Sequence, residues 1–296
     1  METRASPPPV QLEAHPGQGA AERGDDAEFR EYDPRWLQVH RPPPMRDVPY
    51  LPSDEPIVEA MLDLAQVGPD DVVYDLGCGD GRIVVAAARR GARAIGVDID
   101  LLRIRESFDN AKRAGMSHRA RFLRQSFFET DLRDATVVTL YLLPSVNVRL
   151  RPKLMWELRP GARVVANYFE IAGWPPDVTT QLHHRTLYKW IIPAWVQGDW
   201  AGVIAGAHGR ERMSLHLERC YQSLTGTARL AGQETPITDG KLHGEELTFT
   251  LRHPLRPWPR TRFTGHYDGR CLRGHCQPAG VTGAGAPTSQ WGAVRC

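Results

Sequence analysis

Three glycines at alternate positions, Gly77, Gly79 and Gly81, stand in the stretch VVYDLGCGDGR (72–82), with Asp75 before them and Asp98 19 residues after Gly79. Glycines at a strand-to-helix turn remove side chains, so a ligand can approach the backbone and the helix N-terminus closely. A dinucleotide fingerprint needs a third small residue at position 82, where Arg82 stands, which argues against NAD or FAD. No GK[ST] follows, which excludes a P-loop. A carboxylate at Asp98, closing the second strand, can accept both hydroxyls of a ribose. Asp75, at the carboxyl end of the first strand, can hold an ammonium group directly or through water. An amino acid at one end, a ribose at the other and no pyrophosphate cradle together describe S-adenosylmethionine. The competing reading, a plain strand–helix turn, has no need of three glycines.

The elements that must position this loop are legible on both sides of it. VVYDL (72–76), AIGVD (94–98), RFLRQ (121–125), ATVVTLYLL (135–143) and RVVANYF (163–169) alternate with RIVVAAARR, LLRIRESFDNAKRAG and NVRLRPKLMWEL. Continuous apolar strands separated by amphipathic helices predict an α/β domain, a doubly wound Rossmann-like sheet covered on both faces. EPIVEAMLDLAQ predicts a preceding helix with Ser53 or Asp54 at its N-cap, and TTQL with TLYKWII a closing antiparallel pair. We expect three regions: a disordered Pro/Gly-rich tail over 1–44, a cofactor-binding domain over 45–195, and a small all-β domain over 196–296, a meander, barrel or sandwich. Within the tail, EFREYDPRWLQVH (28–40) could dock locally. In the β domain LTG (224–226), LHG (242–244), FTG (263–265) and LRG (272–274) read as turns.

The segments D-L-G-C-G-D-G-R and G-V-D-I-D resemble the first two motifs of the class I S-adenosylmethionine-dependent methyltransferases, over roughly residues 45–195. More narrowly, VPYLPS (48–53), LGCGDGRIVVAA and LYLLP resemble a bacterial group similar to the ATP synthase c-subunit lysine methyltransferases. The resemblance implies that Tyr50 and Pro52 lie near the ligand. The candidate cofactor-binding residues are therefore Tyr50, Asp75, Gly77, Gly79, Asp80, Gly81, Asp98, Ser126 and Phe127. The last two depart from the family pattern, which often has an acidic residue there; Ser126 could hydrogen-bond adenine and Phe127 stack on it. Cys78 reads as a small buried filler.

The acceptor should sit beyond the fourth strand, at TLYLLPSVN (139–147). That stretch has no [DN]PP[YFW] tetrapeptide for an exocyclic or amide nitrogen, no Pro-Cys thiolate and no metal-binding Asp, so nucleobase, amide and metal-assisted phenol chemistry lose ground. An apolar and aromatic mouth remains, with Tyr141, Asn147 and Asn167 as substrate-facing candidates. Such a wall suits an amine that must shed its charge, because desolvation lowers an ammonium pKa. The alternative, that Tyr141 and its leucines are the buried end of a strand, stays open. A lysine in a protein is the leading acceptor; a small-molecule acceptor, or cofactor binding without catalysis, are the alternatives.

Other features narrow the field. With 37 Lys+Arg against 35 Asp+Glu, bulk charge excludes a polyanion binder, and nucleic acid is not an expected partner. The charge is uneven, −3 over 1–44 and +4 over 196–296, and the second excess is nearly all arginine. No apolar stretch reaches the roughly 20 residues of a membrane span, and METRASPPPVQLEAHPGQ at the N-terminus has no apolar core for a secretory signal, so a cytoplasmic protein is expected. Five cysteines do not make a disulfide framework. His183-His184 reads as a turn, and no metal site is expected from Cys271, His275, Cys276 and Cys296. Trp195, Trp200, Trp258 and Trp291 read as core of the β domain with its arginines outside, although stacking on a ligand is the sharper alternative.

Overall fold

The computed structural model describes residues 50–206, 209–252, 260–280 and 288–296. The expectations for the tail, for the docking segment 28–40 and for Trp258 lie outside them.

The first layer follows the apolar pattern of the chain. Helix α1 (Glu55–Ala65) begins with Asp54 as N-cap and Pro56 in its first turn, and buries Ile57, Val58, Met61 and Leu62. Strand β1 (Val72–Leu76), α2 (Arg82–Arg89), β2 (Arg93–Asp98), α3 (Leu101–Arg113) and β3 (Ala120–Arg124) build one half of a sheet. Strand β4 (Val137–Leu140), α4 (Pro144–Glu157), β5 (Arg163–Asn167), β6 (Val178–Leu182) and β7 (Arg185–Ile191) build the other. The seven strands run in the order β3-β2-β1-β4-β5-β7-β6. The first five strands pair in parallel, and β7 is antiparallel to both β5 and β6. Val73, Leu76, Val137, Val138 and Leu140 have at most traces of exposed surface, as strands covered on both faces require. The chain order reverses between β1 and β4, and open α/β sheets bind ligands at such a switch point, outside the carboxyl ends of the strands. His183 and His184 form the turn between β6 and β7, as expected.

The remaining strands are β8 (Gly198–Gly206), β9 (Gly209–Cys220), β10 (Ser223–Leu230), β11 (Gln233–Pro236), β12 (Thr238–His243), β13 (Glu246–Arg252), β14 (Arg260–Tyr267), β15 (Cys271–Pro278) and β16 (Ser289–Arg295). All pair antiparallel, and β10 pairs with β9 as well as β12, which closes eight strands into a barrel with β11 as an appendage. Closure removes the unpaired edges that an open sheet would expose. Trp200, Phe249, Phe263 and Trp291 fill the interior, so the barrel is a packed core. Trp195 departs from that pattern and is 43% exposed.

Three of the four glycines read as turns lie inside strands. A Cβ on Gly226 would stand 1.9 Å from the His216 carbonyl oxygen, and one on Gly274 1.9 Å from that of Thr264. Gly265 makes room for the Trp291 ring. Glycine in a strand marks a close approach of neighbours as readily as it marks a turn. Only LHG ends at a turn, where Gly244 has φ 62°.

The barrel is anchored to the far end of the sheet. The Trp174 indole N–H donates to Gln222 Oε1 at 3.0 Å, and Gln222 Nε2 donates to Asp177 Oδ2 at 2.8 Å. The Ala194 N–H donates to the Gly244 carbonyl at 2.8 Å. Asp177 and Gly244 lie beside Lys189 and Ile191, at the end of β7 that adjoins the start of β5.

Candidate active site

The glycine loop curls over the end of β2. The Gly77 and Cys78 N–H groups both donate to the Val97 carbonyl, at 2.8 and 3.0 Å, and the three glycines have φ values of 82°, 54° and 76°. These left-handed conformations favour glycine. A Cβ on Gly77 would meet Leu142 at 2.8 Å, and one on Gly79 the Tyr50 ring at 2.4 Å. The Tyr50 ring thus packs against the bare backbone at Gly79, with the Arg103 guanidinium 4.4 Å from its ring centroid. Gly81 serves packing: it caps α2 and leaves room for Phe122 and Ser107. Cys78 is buried and faces Ser107, the small filler expected.

Around this loop a cleft encloses about 840 Å³, open solvent at its mouth included. Its wall contains Tyr50, Asp75, Gly77, Gly79, Asp80, Asp98, Ser126, Phe127 and Tyr141. Every candidate cofactor residue except Gly81 is brought together there, from segments up to 77 positions apart in sequence. All the residues of the wall belong to the chain before Leu142, so among the described residues the barrel contributes none.

The acidic groups differ in their surroundings. Asp98 accepts from the Gly79 N–H at 2.9 Å and from the Asp100 N–H at 2.9 Å, yet burial outweighs these bonds and raises its pKa. Asp75 is more deeply placed. It is buried at the end of β1, and desolvation pushes its pKa up to about 7 in spite of a 2.8 Å bond from the Thr139 hydroxyl. Asp80 pairs with Arg82 at 2.7 Å, and Arg82 also donates to the Ser53 carbonyl at 2.7 Å, tying the loop to the segment before α1.

Of the substrate-facing candidates only Tyr141 reaches the cleft. Asn147 is fully buried in α4, where its amide donates to the Phe169 and Glu170 carbonyls at 3.2 and 3.4 Å and holds the loop after β5. Asn167 is also buried, donating to the Ser53 hydroxyl at 2.9 Å. Both stay near the end of the sheet that carries the cleft, but the helix and the strand turn them inward. Two residues unmarked in the sequence join Tyr141: Arg185, which donates to its hydroxyl at 2.9 Å, and Tyr168, whose ring lies 5.1 Å from the same guanidinium. Local spacing gives no signal for either. Among the described residues no group of three His, Cys, Asp or Glu side chains is placed to hold a metal, and no helix is long and apolar enough to cross a membrane.

Comparison with known proteins matches this half of the chain. A "Protein-lysine N-methyltransferase" of Saccharolobus islandicus is 46% identical over 151 residues, which are 49% of this chain and 94% of that protein. The chain belongs to this family of class I S-adenosylmethionine-dependent methyltransferases. The family model of the ANTKMT methyltransferase domain matches residues 75–178 of the methyltransferase, from Asp75 into β6. An adenine nucleotide translocase lysine N-methyltransferase of Mus musculus is 39% identical, over 45% of the chain and 58% of that enzyme. An ATP synthase c-subunit lysine N-methyltransferase of Xenopus laevis is 32% identical, over 44% and 57%. The match thus spans little more than half the length of these two vertebrate enzymes. A solved structure described as an RNA methyltransferase from Salinibacter ruber, in complex with S-adenosyl-L-homocysteine, is 48% identical, with a TM-score of 0.49 over 49% of the chain and 96% of its own.

Proposed function

We propose that this methyltransferase transfers the methyl group of S-adenosylmethionine to the side-chain amine of a lysine in a protein acceptor. The observation that carries the reading is the open cleft ending at Tyr141: nothing from the second domain closes it among the described residues, as a small acceptor shielded from water would require. The names of the archaeal and vertebrate relatives favour the same acceptor.

The residues present fit the cofactor. Gly77 and Gly79 line the cleft, and their lack of a Cβ leaves room for Leu142 and the Tyr50 ring to pack against the loop. Asp75 would hold the ammonium end, Asp98 the ribose hydroxyls, and Ser126 and Phe127 the adenine side, with Tyr50 and Asp80 on the outer wall. When bound, the cofactor supplies a methyl group on a positively charged sulfur, an electrophile that needs no metal or general acid.

The acceptor must arrive as a neutral amine. The cleft wall includes Leu51, Pro52 and Phe127, and an ammonium brought against such apolar surface loses hydration and hence proton affinity. The Tyr141 oxygen accepts one bond from Arg185 and keeps a second lone pair for an amine N–H, which aims the nitrogen lone pair into the cleft. Alignment of this kind is the main contribution a protein makes to an in-line displacement. The expected setting is the cytoplasm, with a protein partner.

The test is labelled methyl transfer into extracts of a strain lacking the gene, divided into protein and small-molecule fractions. Label should enter protein and appear as methyllysine after acid hydrolysis. Label confined to the small-molecule fraction would overturn the reading.

A further inference from the structure

Arg185 opens β7 directly after the His183–His184 turn. Its guanidinium lies 5.5 Å from the Tyr141 ring centroid and 5.1 Å from that of Tyr168. Tyr141 forms part of the cleft wall, so this cation stands one side chain from the place where the acceptor must arrive. The other arginines at the wall are neutralised, Arg82 by Asp80 at 2.7 Å and Arg103 by Glu106 at 2.6 Å. Among the described residues no carboxylate pairs with Arg185; its partners are two aromatic faces and one hydroxyl.

That arrangement is a receptor with unused capacity. A guanidinium carries five N–H donors in a planar fork, and the bond to Tyr141 takes one of them. The two rings fix the plane of the fork, so little freedom is lost when a carboxylate pairs with it. Tyr168 holds its ring there at φ 70°, a left-handed conformation that a tyrosine rarely adopts. An unpaired cation also repels an approaching lysine, unless the acceptor brings an anion with it. Both considerations select the same chemistry.

We infer that Arg185 is a specificity-determining residue that receives a carboxylate close to the target lysine, so that acceptor segments with Asp or Glu two residues from the lysine are preferred. This rests on the lysine reading above. On an extended segment, side chains two residues apart share a face and are about 7 Å apart, within reach of both Tyr141 and Arg185.

The test uses short peptides with one central lysine, carrying Asp, Gln or Arg two residues to either side. Methylation by the wild-type protein, Arg185→Gln and Arg185→Lys is followed by mass spectrometry, and cofactor affinity by calorimetry reports folding. Wild type should favour Asp over Gln flanks about tenfold in kcat/KM, mostly through KM, as a charge-assisted pair implies. Arg185→Gln should bring that ratio close to one, and Arg185→Lys should retain part of it. Because the ratio compares substrates within one variant, general damage to the fold leaves it unchanged. An unaltered ratio in Arg185→Gln, or lysine methylation by wild type with no flank preference, would overturn this inference alone. If wild type labels no lysine in any peptide or protein fraction, the lysine reading fails and the inference falls with it.

Discussion

Replacing Asp75 by Asn should make the free protein more stable and the cofactor complex weaker, with the first effect growing from about pH 4 to about pH 7. Asp75 is buried at the end of β1, its only charged surroundings are further carboxylates, and burial pushes its pKa from 3.8 up to about 7. The folded state therefore holds this proton more tightly than the unfolded chain does. The group's contribution to stability is greatest below pH 4 and declines as pH rises toward 7, where the folded carboxylate finally ionises. A displacement of about three pH units, at about 1.4 kcal/mol each, corresponds to about 4 kcal/mol. Water in the open cleft reduces this, and half of it, about 2 kcal/mol, would shift the melting temperature of a domain of 150–250 residues by about 4–8 °C. Asn keeps a carbonyl oxygen for the Thr139 hydroxyl and has no charge to desolvate. The assay is thermal unfolding of wild type and Asp75→Asn, without cofactor, at pH 5 and pH 8. We expect the variant to gain less at pH 5, where about a third of the penalty is already present, than at pH 8, while cofactor affinity at pH 8 drops about tenfold or more through loss of a charged acceptor. A difference between the two proteins that is the same at both pH values would refute the reasoning, since the burial of a charge could not then be its source.

Other perturbations test neighbouring parts. Gly79→Ala forces a Cβ into the Tyr50 ring at a φ of 54°, and calorimetry should show cofactor binding weakened at least about tenfold. Asp98→Ala removes the acceptor for the Gly79 and Asp100 N–H groups, and unchanged cofactor affinity in that variant would exclude the site assigned. Gly226→Ala places a Cβ 1.9 Å from the His216 carbonyl at a φ of 135°, and should cost about 3 kcal/mol or more by breaking the β9–β10 pairing. Cofactor titration of that variant should still give wild-type affinity, because among the described residues the cleft draws on none from the barrel.

The glycine loop was legible because its elements are contiguous. Asp75, Gly77, Gly79 and Asp98 lie on one strand–loop–helix–strand run, where residue spacing alone decides what can face what. The mouth is different. Tyr141, Tyr168 and Arg185 come from the ends of β4, β5 and β7, and only the sheet order brings them together. Asn147 illustrates the converse: six residues from Tyr141 in sequence, it is carried inward by the turn of α4. The all-β character of the second domain was legible from its regularly spaced glycines, but those glycines carry two meanings. Gly226 and Gly274 are places where neighbouring backbones touch, a property of pairing register that no single strand encodes.

The position of the barrel limits what it is able to do. Its interior is packed with Trp200, Phe249, Phe263 and Trp291, so a ligand could meet it only from outside. Its anchor through Gln222, Trp174 and Asp177 lies at the end of the sheet away from Tyr141, and among the described residues it adds nothing to the cleft wall. What it presents to a partner is its outer surface. A small acceptor bound at Tyr141 would touch only the methyltransferase domain, whereas a folded protein is large enough to lie against both. Selection by the barrel therefore requires a macromolecular acceptor, and the open mouth beside Arg185 is the form of site that admits one.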